Sequence, residues 1–278
     1  MDEKKLYIDF DEIDTWTEQL NMILISLVNK SVKEKLGAST IQYAEDARDL
    51  LFHLADREKI IDATLTWILS ANIIGYHGSR LINDDILTIQ KDGLIPLNAE
   101  ARKKRLRRAL SKHSRWLDVE TKLEKSIQKF GQGCYNGKRE GQVHLTLSKA
   151  GLINTFNHYL SYGSEFDQRV AFDLLGAEGK ELLKEDGTPK LIRLSVPGSL
   201  ALTASHPYFS IDCLREKGEI PNIVKDIIAA WAFKLTNTSF QSRTLEIDCG
   251  MIFFETIPAS WIVDIETNLF HDFSRNLI

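Results

Sequence analysis

Apolar residues recur at three- and four-residue spacing through the first seventy positions. Ile13, Trp16, Leu20, Ile23, Leu24 and Leu27 make one such series, Ala44, Ala47, Leu50, Leu51 and Leu54 a second, and Ile61, Ala63, Leu65, Ile68 and Leu69 a third. A 3.6-residue period puts each series on one face of a helix, so the spacing predicts three amphipathic helices, the first separated from the second by Gly37. His53 sits beside Leu54 and reads as a structural histidine.

The pattern changes at Ile73-Ile74-Gly75-Tyr76-His77-Gly78-Ser79-Arg80, an apolar β-type run that breaks into small and polar residues. Beyond it, Asn83 suits an N-cap, Asp84 and Asp85 suit the positive end of a helix dipole, and Ile86 and Ile89 supply an apolar face. Gly93 fits a left-handed C′ position and Pro96 blocks continuation. The expectation is strand, polar turn, helix. Chemistry belongs in the turn, where Gly78 lets a ligand approach the backbone next to His77.

Further on, Val143, Leu145 and Leu147 alternate with His144, Thr146 and Ser148, a strand with one apolar and one polar face. Gly131-Gln132-Gly133 and Asn136-Gly137 form a loop before it. A polar, aromatic-bearing stretch from Asn157 to Arg169 runs into a helix over Val170 to Leu175. Leu191 to Val196 is a strand stopped by Pro197-Gly198, and Asn222 to Leu235 is a helix entered through Pro221. The loop Thr236 to Arg243 leads into a strand-like run through Leu245, Ile247, Met251, Ile252, Phe253 and Phe254, and Trp261 to Ile265 is the last strand.

Charge alters this picture at one place. The 278 residues carry a net charge of −4, yet Ala101 to Arg115 holds eight Lys or Arg and no acid, so one basic segment sits on an acidic chain. Leu106 and Leu110 give this helix an inward edge, and Leu123, Ile127 and Phe130 extend the helical spacing. Lys and Arg on one helix release counterions from a phosphate backbone, so a nucleic acid is the expected partner, RNA before DNA. Cys134, Cys213 and Cys249 are widely separated, with no CxxC pair, which predicts neither a disulfide framework nor a metal site. No apolar run reaches the length of a membrane span, and Met1-Asp2-Glu3 lacks a signal peptide's basic-then-apolar order. The chain reads as cytoplasmic, with no membrane partner.

Taken in order, several short motifs are similar to those of the ADP-ribosyltransferase superfamily, in an arrangement resembling its tRNA 2′-phosphotransferase branch. They are Tyr76-His77-Gly78-Ser79, Gly93-Leu94-Ile95-Pro96, Val143-His144-Leu145-Thr146, the strand Leu191 to Val196, Gly250-Met251-Ile252-Phe253, and Ile257-Pro258-Ala259-Ser260-Trp261-Ile262. The resemblance implies an α+β fold: a split β-sheet domain over residues 71–278, a basic helical insertion at about 98–130, and an N-terminal helical region over 1–70 that it does not cover. It implies NAD as a substrate, held by His77, Gly78, Ser79 and Arg80 with His144 and Thr146 on a second strand. His77 would hold the ribose, and Gly78 would admit the nicotinamide amide to the backbone.

Departure of nicotinamide leaves positive charge on the ribose, which a carboxylate would stabilise. Glu246, following Gln241-Ser242-Arg243, is the first candidate and Glu255 the second, because no Gln-x-Glu or Glu-x-Glu appears. The catalytic set is then Glu246, His77 and Arg243. Substrate would be gripped by Gln241 and Arg243 together with Arg102, Lys103 and Arg105 of the basic helix. The implied activity is ADP-ribosyl transfer to a macromolecule, RNA favoured, in the manner of a bacterial toxin or antiphage effector that an antitoxin protein would restrain. Two alternatives stand beside it. One is an RNA 2′-phosphotransferase using Arg80, Arg169 and Arg243 as phosphate ligands. The other is a catalytically inactive module that binds nucleic acid or a protein partner.

Overall fold

The computed structural model describes residues 6–131 and 140–267. Cys134 and the Gly133 and Asn136-Gly137 positions of the expected loop lie outside them. Along the chain the elements are β1 (Tyr7–Ile8), α1 (Ile13–Ile23), α2 (Lys30–Gly37), α3 (Ala44–Leu54), α4 (Arg57–Ser70), β2 (Asn72–Leu81), α5 (Asn83–Asp92), α6 (Ala99–Leu110), α7 (Trp116–Val119) and α8 (Leu123–Phe130). Then follow β3 (Val143–Thr146), α9 (Lys149–Asn154), α10 (His158–Tyr162), α11 (Glu165–Lys184), β4 (Thr188–Pro197), α12 (Gly198–Ala204), α13 (Ile211–Glu216), α14 (Asn222–Thr236), β5 (Gly250–Phe253) and β6 (Ile262–Glu266). The fold is α+β. Its described strands run in the order β5-β3-β2-β4-β6, with β1 beside β2. Tyr7 and Ile8 pair in parallel with Asn72 and Ile73, and β6 pairs antiparallel with β4, shifting register between Arg193 and Leu194.

The chain forms two compact units. The first comprises residues 1–75, 146–152 and 195–252; the second comprises 76–145, 153–194 and 253–278. Among the described residues, no helix is long and apolar enough to cross a membrane.

Within the first unit, α14 is apolar nearly all round. Ile223, Val224, Ile227, Ile228, Ala230, Trp231 and Ala232 are buried, the signature of a helix inside a core. It packs against α3, α2, α4 and α1, and Trp231 donates from its indole to Asn21 Oδ1 at 3.2 Å. The stretch expected to give three helices gives four: Asn29 accepts from Val32 N to start α2, and Asp56 accepts from Lys59 N to start α4. Trp16 stacks obliquely on Trp67, ring centres 6.2 Å apart, and donates to Asp9 O at 2.9 Å.

Within the second unit, α6, α7 and α8 bury Leu106, Leu110, Trp116, Leu123 and Ile127 against Phe166, Val170, Leu174 and Leu183 of α11. The expected strand-turn-helix differs in detail. β2 continues to Leu81, carrying His77, Gly78, Ser79 and Arg80 on the strand itself. Asn83 is the first helical residue instead of the cap, and Asp85 Oδ2 reaches back to Ile82 N at 3.0 Å. Gly93 takes φ 85°, ψ −167°, a positive φ with extended ψ and not the left-handed helical value.

The chain there pairs with another segment of the same unit, Leu94 and Ile257 exchanging two backbone hydrogen bonds of 2.9 Å. A Cβ on Gly93 would lie 2.0 Å from Ile257 O. Gly93→Ala is therefore expected to lower stability by about 2 kcal/mol, from the strained φ and the broken bridge together. Denaturant melting of parent and variant measures it.

Candidate functional site

The residues singled out on β2 and β3 fall into three groups by what they touch. His77 is half-buried, and its Nδ1 lies 2.8 Å from the backbone oxygen of His144. A carbonyl only accepts, so Nδ1 carries the proton and Nε2 is left as a neutral acceptor. Burial lowers the ring's pKa, with the positive charge of Arg102 acting the same way and the His144 carbonyl opposing both. The structure thus holds His77 as a neutral imidazole with one nitrogen fixed. His144 is fixed in turn, its Nε2 donating to Gln142 Oε1 at 2.9 Å. Gly78 and Ser79 follow at half-buried positions.

The polar side of β3 does not face bulk water. Thr146 is buried, and its hydroxyl has no partner among the described residues. Ser148 is buried too; it donates to Asp11 Oδ1 at 2.8 Å and accepts from Gly151 N at 3.0 Å. Asp11 also accepts from Ala150 N at 2.8 Å, so it caps the start of α9. Burial is the main force on this carboxyl and carries its pKa up to about 6, against the bonds from Ala150 and Ser148.

Arg80 is committed elsewhere in the second unit. It donates to the backbone oxygens of Leu160 (3.3 Å), Gly187 (2.6 Å) and Lys184. Expected as a ligand-binding group, it pins three carbonyls instead, and burial with the charge of Arg105 lowers its pKa.

The basic helix α6 differs most from expectation. Arg102 donates twice to the Asp167 carboxylate, and Arg105 bridges Asp167 Oδ2 at 2.9 Å and Asp186 Oδ2 at 3.0 Å. Arg108 completes the network, with contacts of 2.6 and 2.9 Å to the two oxygens of Asp186. Lys103 pairs with Glu100 and Glu124, Arg107 with Glu120, and Lys112 with Glu185.

Among the described residues, Lys104 and Arg115 are the members of the eight without a carboxylate partner, and both are exposed. Arg102, Lys103 and Arg105, expected to grip substrate, are ion-pair partners inside the second unit. Asp167 is 0 % and Asp186 5 % exposed. Burial pushes both carboxyls upward, but the charges and hydrogen bonds of the arginines outweigh it and hold them below the usual carboxylate range. Asp167 sits in the polar stretch that the sequence displays, yet its partners lie more than sixty residues away. No local spacing marks it.

The remaining candidates belong to other surroundings. Gln241 donates to Asp14 Oδ2 at 3.0 Å, and Arg243 is exposed on a 3₁₀ turn, Ser242–Leu245. Glu246, expected at the start of a strand, follows that turn in the left-handed conformation (φ 48°, ψ 41°), four residues before β5. Gly151 packs on its backbone, where a Cβ would meet the Glu246 carbonyl at 3.0 Å. Glu255 is exposed.

Glu246 and Arg243 lie in the first unit, while His77 and His144 lie in the second. From the expected set, the structure brings His77 against the His144 carbonyl, with Arg102 near enough to act on the ring by its charge. Among the described residues, no group of three or more His, Cys, Asp or Glu is placed to hold a metal ion. The chain matches no family model, no curated protein and no solved structure.

Proposed function

We propose that the chain is an NAD-dependent ADP-ribosyltransferase built on an ADP-ribosyltransferase-like split sheet, acting on a macromolecule. The observation that supports this reading is the neutral His77 imidazole on β2, its Nδ1 tied to the adjacent strand and its Nε2 left to accept from a ribose hydroxyl. Gly78 and Ser79 would lie along the nicotinamide half of the substrate. In the reaction the bond from the ribose C1′ to nicotinamide breaks, and a bond from C1′ to an acceptor oxygen or nitrogen forms as the acceptor loses its proton. A carboxylate would oppose the developing charge.

RNA is the acceptor to offer first. With most of α6 neutralised by its own carboxylates, Lys104 and Arg115 are the cations of that segment left to contact phosphate. For the phosphotransferase alternative, Arg80 has its two terminal nitrogens on backbone oxygens, and its Nε has no partner among the described residues.

The test is incubation of parent and His77→Ala with adenine-labelled NAD and separate RNA, DNA and protein fractions, alongside calorimetric NAD titration. Transfer by the parent to one fraction, with NAD bound about 10- to 100-fold more weakly by His77→Ala, is the expected result. No NAD binding by the parent and no transfer to any fraction would overturn the reading.

A further inference from the structure

A pocket of about 400 Å³ opens in the first unit, its lining contributed by Arg48, Asp49, Phe52 and Arg57 on one side of the sequence and by His206 and the stretch from Glu219 to Lys225 on the other. None of the residues assigned above to NAD or acceptor lines it. Its size falls in the range that holds a small molecule.

Three hydrogen-bond donors reach it from three parts of the chain. The Arg48 side chain on α3 is 16 % exposed, and two of its nitrogens share Asp49 Oδ1 at 2.9 and 2.8 Å. Its remaining terminal nitrogen has no hydrogen bond to the described residues. Lys225, in the first turns of α14, lines the pocket, and its positive charge acts on the neighbouring Asp226 carboxyl. His206 accepts from Asn222 N through Nε2 at 2.9 Å, so the ring hydrogen of the neutral form must be on Nδ1. Burial lowers the pKa of this ring, and the charge of Lys225 adds to that against Glu219. It is a neutral donor beside two cations.

Arg57 is already placed, donating to Gly218 O at 3.1 Å and lying 5.7 Å from the centre of the Phe52 ring. Phe52 and Ile220 add an apolar wall. Of the charged lining residues three are cations, Arg48, Arg57 and Lys225, and two are carboxylates, Asp49 and Glu219, so positive charge is in excess beside an apolar surface, which suits an anionic head on an apolar body.

We infer that this pocket binds a small molecule carrying a phosphate monoester, its phosphate held by Arg48, Lys225 and His206 and its organic part against Phe52 and Ile220. The inference is independent of the NAD reading and stands or falls separately.

Calorimetric titration of the full chain with inorganic phosphate and with phenyl phosphate tests it. The parent binds phenyl phosphate at least about tenfold more tightly than inorganic phosphate, because the ring adds buried apolar area. Arg48→Met and Lys225→Met, on different helices, each weaken phenyl phosphate at least about tenfold. Lys30→Met removes the same charge from a side chain that is 91 % exposed and outside the pocket, and it leaves the affinity at the parental value. Circular dichroism shows that both pocket variants are folded. No binding by the parent, or pocket variants that bind as Lys30→Met does, would overturn the assignment.

Discussion

Asp167→Asn is expected to remove about 3–5 kcal/mol of unfolding free energy, the cost of leaving buried guanidinium groups without their counter-charge. The variant is isosteric, so cavity formation adds little. What changes is that Arg105, 6 % exposed, loses one of its two carboxylates, and Arg102 loses the one it pairs with. Arg105 already has one terminal nitrogen without a partner among the described residues, which leaves the network no spare acceptor.

Asp167→Asn acts where the α6–α11 core is held together, so hydrogen exchange should accelerate across α6, α8 and α11. A loss of under about 1 kcal/mol by urea melting would mean that the pairs merely offset their own desolvation. The same network gives an acid dependence. The folded-state pKa values of Asp167 and Asp186 lie below the usual value, so their stabilisation is present above about pH 4 and is lost as pH falls through those lowered values.

Asp11 carries the second large effect, of opposite sign. Its pKa is raised from 3.8 to about 6, so the folded first unit binds this proton more tightly than the unfolded chain does. The stabilisation is therefore fully present below about pH 4 and is lost as pH rises through about 6. A shift of that size corresponds to about 3 kcal/mol.

Asp226 on α14, raised to about 6 chiefly by burial, works in the same direction and window. Asp11→Asn should remove about half of the combined slope between about pH 4 and pH 7. It can keep an acceptor for Ala150 N while the Ser148 hydroxyl turns to accept. Hydrogen exchange of amides in 146–152 and 195–252, compared at the two pH values, measures it. A variant whose slope matches the parent's would show that Asp11 ionises there without cost.

These two effects rest on residues that no periodicity marks, which sets the limit of what the chain discloses. The course of α14 is legible from Pro221 and the spacing of Ile223, Ile227 and Trp231, because a buried helix writes its period in apolar residues. α5, β3, β4 and β6 are legible for similar reasons. The ion network is not, since Arg105 meets Asp186 across eighty-one positions and charge alone looks the same on a solvated face as on a paired one. Leu245 and Ile247 on either side of Glu246 predict a strand there, yet a 3₁₀ turn and a left-handed residue intervene, features set by what packs around them. His77 is legible as a residue type in a turn-like context. That its Nδ1 is fixed by a carbonyl on another strand depends on pairing between segments sixty-seven positions apart.

The discontinuity of the first unit bears on how the chain is made. α3 has α14 as its most extensive neighbour, but the two are separated by the whole of the second unit's first two segments. At ordinary synthesis rates of about 5–20 residues per second, α1 to α4 are made roughly 8 to 30 seconds before α14 is complete. For that interval α3 lacks its most extensive neighbour, and α4 lacks both α14 and α12. A nascent chain halted before residue 220 should therefore be a chaperone client and protease-sensitive through its first seventy residues, and one halted beyond residue 252 should not.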